Sequence, residues 1–148
     1  MKIRSTHTPK HDYLKYWKVV RQWAKAKYGL GVAEIEMILF LYSEGFFKRK
    51  DFEEYMEIMS WDARCFDRLL KEKWIVVWRE RKGKEGKLYE VGYAGKRMCL
   101  SIYKKLNMEE TVSEHRRANP IFDPNADYSK KVYRKIIKKM NAEIKKNL

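Results

Sequence analysis

Disulfides, membrane spans and irregular low-complexity segments have little to work with in this chain. Its 148 residues include two cysteines, three prolines and seven glycines. Cys65 and Cys99 fall within helical patterns and not in a spaced framework, which excludes a disulfide scaffold and fits reduced, partly buried thiols in a cytosolic setting. No apolar run approaches the roughly 20 residues that a helix needs to span a bilayer. The longest, Met37 to Tyr42, reads as a buried helix segment. The opening Met1-Lys2-Ile3-Arg4-Ser5-Thr6 is charged with no hydrophobic stretch behind it, unlike a secretory signal. An intracellular, soluble protein without a membrane partner is expected, in a cytoplasm or, for a virus-encoded chain, a host cytoplasm or virion.

Acidic residues are also short, at 20 against 34 lysines and arginines, leaving a formal net charge of +14. A surplus of that size favours a polyanionic partner, nucleic acid before an anionic membrane. The 45% of hydrophobic and 14% of aromatic residues place the chain among globular proteins despite its charge. At this length one domain with a helical appendage is the natural arrangement.

The polar, basic residues 1–11, interrupted by Pro9, read as a flexible arm. From Asp12, a candidate N-cap, Tyr13, Trp17, Val20 and Ala24 recur at helical spacing, with Leu14 and Trp23 widening the stripe up to Gly29. A second helix over 32–44 turns Ile35, Ile38, Leu39 and Tyr42 inward and ends at Gly45. A short amphipathic helix over 49–58 carries Phe52, Tyr55 and Met56. Ser60 is the expected N-cap of a fourth helix over 60–73, with Ala63, Phe66, Leu69 and Leu70 inside and Arg64, Arg68 and Lys71 outside.

Residues 75–93 then change period. Ile75-Val76-Val77-Trp78 is β-branched, Tyr89, Val91 and Tyr93 alternate with Leu88, Glu90 and Gly92, and Gly83 and Gly86 allow the reversal. A fifth helix over 94–108 places Met98, Ile102, Tyr103 and Leu106 on one face. Residues 109–128, with Pro120 and Pro124, read as an extended linker. Ser129 caps a basic amphipathic helix through 129–148, whose stripe is Val132, Tyr133, Ile136, Ile137, Met140 and Ile144. The expected fold is mainly α with a small β-hairpin: about six helices, long at both ends, in the order of a winged helix-turn-helix over 12–108.

The hairpin carries Arg79, Arg81, Lys82, Lys84 and Lys87 near one turn. Such cations supply sequence-independent affinity for phosphates, while the blander alternative is a solvated loop whose charge Glu80 and Glu85 partly cancel. On the preceding helix Arg64 and Arg68 are candidates for guanine edges or phosphates, Lys71 adds a cation, and Trp61 offers a ring for a sugar or thymine methyl. Asp62 and Asp67 on the same helix repel phosphate unless the arginines pair with them. The C-terminal helix reads as a solvated docking helix, a dimerisation helix or an anion-binding arm.

Catalytic and metal patterns are poor. His7 and His11 flank Pro9 with no Cys or carboxylate to complete a zinc site, and His115 stands alone. Gly83-Lys84-Glu85-Gly86-Lys87 lacks the spacing of a phosphate-binding loop, and Glu53-Glu54 and Glu109-Glu110 read as helix surface. No enzyme activity, cofactor or metal is expected.

Gly31 to Tyr42, Phe52-Glu53-Glu54-Tyr55, Phe66 to Ile75 and Val91 to Arg97 together resemble the MarR family of winged-helix regulators, over about residues 12–108. The resemblance implies a homodimer joined through the first and last helices, here Trp17, Val20, Tyr133, Ile136, Ile137 and Met140. It implies that the helix over 60–73 reads double-stranded DNA, and that an effector pocket lined by Tyr and Trp lies between the first, second and fifth helices. Two positions and one tripeptide depart from the family pattern: Trp74 stands where glycine usually follows the recognition helix, Gly92 where threonine usually precedes the fifth helix, and Glu85-Gly86-Lys87 where the wing carries an Asp-x-Arg brace. These departures suit a divergent member, as a virus or mobile element would encode. Two functions are expected from different classes: a dimeric transcriptional regulator, or a virion-associated or structural module that binds proteins or nucleic acid without sequence specificity.

Overall fold

The structure, a computed structural model, describes residues 11–59, 61–125 and 128–147. Among them are six α-helices and one antiparallel β-hairpin: α1 Tyr13–Tyr28, α2 Val32–Glu44, α3 Arg49–Tyr55, α4 Ala63–Lys71, β1 Ile75–Arg79, β2 Leu88–Val91, α5 Tyr93–Leu106 and α6 Tyr128–Asn147, with a 3-10 turn at Pro120–Phe122. No helix among the described residues is long and apolar enough to cross a membrane. The expected arm falls largely on residues 1–10, outside the described part. His11 is described, and its Nδ1 lies 3.3 Å from Glu143 of α6.

α1 and α2 end at Gly29 and Gly45, as their patterns imply. The buried face of α1 is rotated from the expected stripe. Tyr16, Val19, Val20, Trp23 and Ala24 point inward, whereas Tyr13 and Leu14 are exposed. In α5 the inner face is Met98, Cys99, Ile102 and Lys105, and Tyr103 turns outward. Burial pushes the Cys99 thiol up to about 12.

α4 is shorter than the pattern over 60–73 suggests. The Asp62 carboxylate accepts the Arg64 N–H at 2.6 Å and acts as the N-cap. Trp61 therefore precedes the helix, and the expected cap Ser60 lies outside the described residues. Ala63 is exposed, leaving Phe66 and Leu69 as the fully buried pair. At the other end Trp74 N–H donates to Leu69 and Lys73 N–H to Leu70, the paired bonds of a Schellman cap. Lys73 has φ 65°, so the left-handed residue that a glycine would usually supply is Lys73, one position before Trp74.

The hairpin pairs Ile75 with Val91, Val76 with Glu90 and Val77 with Tyr89, then shifts register so that Arg79 faces Leu88. Trp78 bulges outward at this irregularity and packs against Phe46, the ring centroids 4.2 Å apart and the planes tilted by 36°. Phe47 adds to β2 a one-residue bridge, a rung that its sequence pattern did not announce, exchanging N–H···O bonds of 3.0 and 2.8 Å with Tyr89. Gly92 is a steric requirement, since a Cβ there would come within 2.3 Å of the Lys73 carbonyl oxygen. A threonine could not take that place in this packing.

The core is continuous. Near the hairpin it is aromatic, with Phe66 against Phe52 at 4.7 Å and against Tyr89 at 5.3 Å. Toward the chain ends it takes in Tyr16, Val19, Val20 and Trp23 of α1 and is closed by α6, whose Ile137, Met140 and Ile144 are fully buried. Each such side chain contributes roughly 1.5–3 kcal/mol relative to exposure.

Residues 109–125 are not the extended linker expected. Val112, Asn119 and Ile121 are buried, and Asn141 of α6 clamps Val112 by accepting its N–H at 2.8 Å and donating to its carbonyl at 2.6 Å. Arg134 donates to the carbonyls of Ile121, at 2.7 Å, and Asp123. α6 therefore packs on α1 within one core shared with 12–108. It begins at Tyr128, so Ser129 lies within its first turn and not at its cap.

Candidate nucleic-acid interface

The cations of α3, α4 and the hairpin differ in what the fold has already done with them. Arg64 is 92% exposed and lies 3.3 Å from Asp62, the carboxylate that caps its own helix. Arg68 reaches back to α2, where its guanidinium meets Glu34 at 3.0 Å, and it also lies 3.6 Å from the Cys65 sulfur. Glu34 is only 15% exposed, so this pair fastens α4 to α2. Lys71 is exposed and enters no ion pair among the described residues. Trp61, expected to offer its ring to a sugar or thymine methyl, is half-buried, stacked on Phe52 at 5.6 Å and edge-on to Phe40 at 5.4 Å.

Asp67, which on sequence grounds repels phosphate, is held by Arg49 of α3 at 3.0 Å. That guanidinium also sits 5.0 Å from the Phe66 ring centroid, tying the start of α3 to the outer side of α4.

In the hairpin, Lys82 and Glu85 exchange backbone bonds of 3.0 Å around Gly83 and Lys84, which makes a tight four-residue tip. Two of its cations are engaged: Arg79 with Glu85 at 3.2 Å and Lys87 with Glu80 at 3.6 Å. The Arg79–Glu85 pair joins the two arms of the hairpin. Arg81, Lys82 and Lys84 are exposed and have no ion-pair partner among the described residues.

One group of cations was missed in the sequence pattern. Lys48, Arg49 and Lys50 come together with Arg81 and Lys87 around a cleft of about 340 Å³, with Tyr89 on its wall. A basic triplet at a helix start, followed by an acid at Asp51, was the available signal. Its meaning depends on Phe47 pairing with Tyr89, because that rung brings residue 48 beside the hairpin.

The residues expected at a dimer contact divide in two. Val20, Ile137 and Met140 are fully buried within the single chain, where α1 packs on α6, and have no surface left for a second chain. Trp17, Tyr133 and Ile136 are half-buried at the edge of that core. The expected effector pocket also differs: a cavity of about 520 Å³ lies between α1 and α5, edged by Lys27, Arg97, Lys104 and Glu110, with Tyr28 its one aromatic residue. No group of three or more His, Cys, Asp or Glu side chains among the described residues could hold a metal ion.

Comparison of the chain with family models, curated proteins and solved structures returned no match to any of them.

Proposed function

We propose that this chain is a winged-helix protein that binds double-stranded DNA, with the hairpin as its wing and α4 as its groove-facing helix, and that it acts on transcription by occupying DNA. The observation that carries this reading is the run of Arg81, Lys82 and Lys84 at and beside the tip, which enter no ion pair among the described residues and continue through the cation-lined cleft to the start of α3, which Arg49 links to α4. Phosphates are the natural counter-ions of such a surface, and base edges are within the chemistry of Arg64 and Lys71. No catalytic step, cofactor or metal is assigned. A homodimer would use the half-buried Trp17, Tyr133 and Ile136 together with the exposed Tyr13, Leu14 and Val132.

A second reading is favoured by one observation, the engagement of both arginines of α4 by Asp62 and Glu34. It is a structural or virion-associated module that grips nucleic acid, or a protein partner, without reading sequence. Selecting bound fragments from a random duplex pool at physiological salt separates the two. A palindromic motif supports a dimeric regulator, whereas retention of all sequences alike supports the module. No retention of any duplex would overturn both forms of DNA binding.

A further inference from the structure

We propose that the cleft between residues 48–50 and the hairpin is a phosphate-binding site that seats the sugar-phosphate backbone of the bound duplex alongside α4. This rests on the duplex binding proposed above and adds to it a seat that neither the tip nor α4 supplies.

Five lining residues are cationic and none is acidic, although the chain as a whole has 20 acids to balance its 34 bases. Lys48, Lys50 and Arg81 enter no ion pair among the described residues, and the partners of Arg49 and Lys87, namely Asp67 and Glu80, stand outside the lining. Like charges gathered in one concavity repel each other, and an anion in the cleft relieves that repulsion for all of them at once. At about 340 Å³ the space falls within the roughly 300–1,000 Å³ of ordinary ligand pockets. The side chains, not the start of α3, make the site: the Lys48 N–H is already taken by Asp51 at 2.9 Å.

The position of the cleft follows from Arg49. It bonds Asp67 on the outward side of α4 while lining the cleft, so a strand whose phosphates occupy the cleft runs beside α4. Asp67 then competes with phosphate for Arg49, and Asp67→Asn is expected to tighten duplex binding severalfold.

The test uses the full chain, a short duplex and inorganic tripolyphosphate. The triple variant Lys48→Gln, Lys50→Gln, Arg81→Gln is compared with Lys138→Gln, Lys139→Gln, Lys145→Gln, which removes the same charge from exposed positions on α6. The cleft variant is expected to lose at least tenfold in duplex affinity and to flatten the log–log salt slope by about 2.7, at roughly 0.9 per phosphate contact. The α6 variant should lose no more than two- to threefold. Tripolyphosphate should shift the backbone amide signals of residues 48–50 and 86–89 in the wild-type chain. Equal losses in the two variants overturn the cleft and leave duplex binding standing. Tripolyphosphate shifts at the cleft without any duplex binding retain the site for a free polyphosphate and overturn the duplex reading. The absence of both overturns both.

Discussion

Lys105 lies 4% exposed between α1 and α5, bonded to Ser101 at 2.8 Å and Glu110 at 2.5 Å and set 4.0 Å over the Trp23 ring, whereas Arg81, Lys82 and Lys84 are exposed and enter no ion pair among the described residues. One end of the molecule spends its polar groups on holding distant segments together. Asn141 reaches Val112, Tyr16 donates to Glu143, and Arg134 fastens the 3-10 turn. The other end is held by aromatic packing among Phe47, Phe52, Phe66 and Tyr89, and several of its cations enter no ion pair among the described residues. Positive residues in one sequence therefore meet two different environments, and burial together with the nearest acid decides which.

The sharpest way to test that division is to damage each end and ask which property suffers. Asn141→Ala should have the largest effect on stability, because it strands the buried N–H and carbonyl of Val112 together, at about 1–3 kcal/mol for each unsatisfied group. We expect a loss of about 3–4 kcal/mol in chemical denaturation, with duplex affinity unchanged wherever the variant remains folded. The triple variant Arg81→Ala, Lys82→Ala, Lys84→Ala should do the reverse. Its unfolding midpoint should match the wild type, while affinity for every duplex falls about a hundredfold near 0.1 M salt. A parallel loss of stability and affinity in both variants would erase the comparison.

Next in size is the buried pair. Burial lowers the Lys105 pKa despite the bond from its ammonium to Glu110; for the half-exposed Glu110, burial works upward but the bonds from Lys105 and Ser101 outweigh it and hold the acid below its ordinary value. A carboxyl depressed in the folded state contributes stability that is present above the unfolded value near 4.3 and is lost as pH falls through the folded one. Melting temperature followed below pH 5 should therefore decline more steeply in the wild type than in Glu110→Gln. At neutral pH that variant should be less stable by about 1–2 kcal/mol, reduced from the cost of breaking a fully buried pair because Glu110 is 43% exposed.

Much of this plan was legible in the residues, and where it was not the reason is physical. Periodicity located the six helices and the hairpin of the described residues, and glycine at 29 and 45 marked two helix ends. Periodicity fixes a face only to within one residue's rotation, which is why Tyr13 and Leu14 were expected inside and Tyr16 was not. The strap over 109–125 was read as a linker because its structure rests on single long-range bonds, Asn141 to Val112 and Arg134 to Ile121, which leave no local pattern. In the candidate interface the hairpin cations were visible as a cluster in sequence. The cleft was not, because half of it comes from residues 48–50 and the rung that places them is a one-residue bridge at Phe47. The contacts of the half-buried Trp61 with Phe40 and Phe52 are a meeting of three elements that spacing along one helix does not encode.

The smallest effect bears most directly on whether α4 reads sequence. Arg68 is held by Glu34 at 3.0 Å, and Glu34 Oε1 also accepts the Gly31 N–H at the start of α2. Glu34→Gln keeps a side chain that can still accept that N–H while removing the charge that holds the guanidinium. A half-exposed pair of this kind contributes under about 1 kcal/mol, so the melting temperature should move little. The freed Arg68 should raise affinity two- to threefold. If the gain is confined to duplexes carrying guanine at particular steps, α4 lies in the groove and the ion pair holds back base reading. A uniform gain assigns Arg68 to phosphates, and no gain at all means that Arg68 serves the fold, on the same side of the comparison as Lys105.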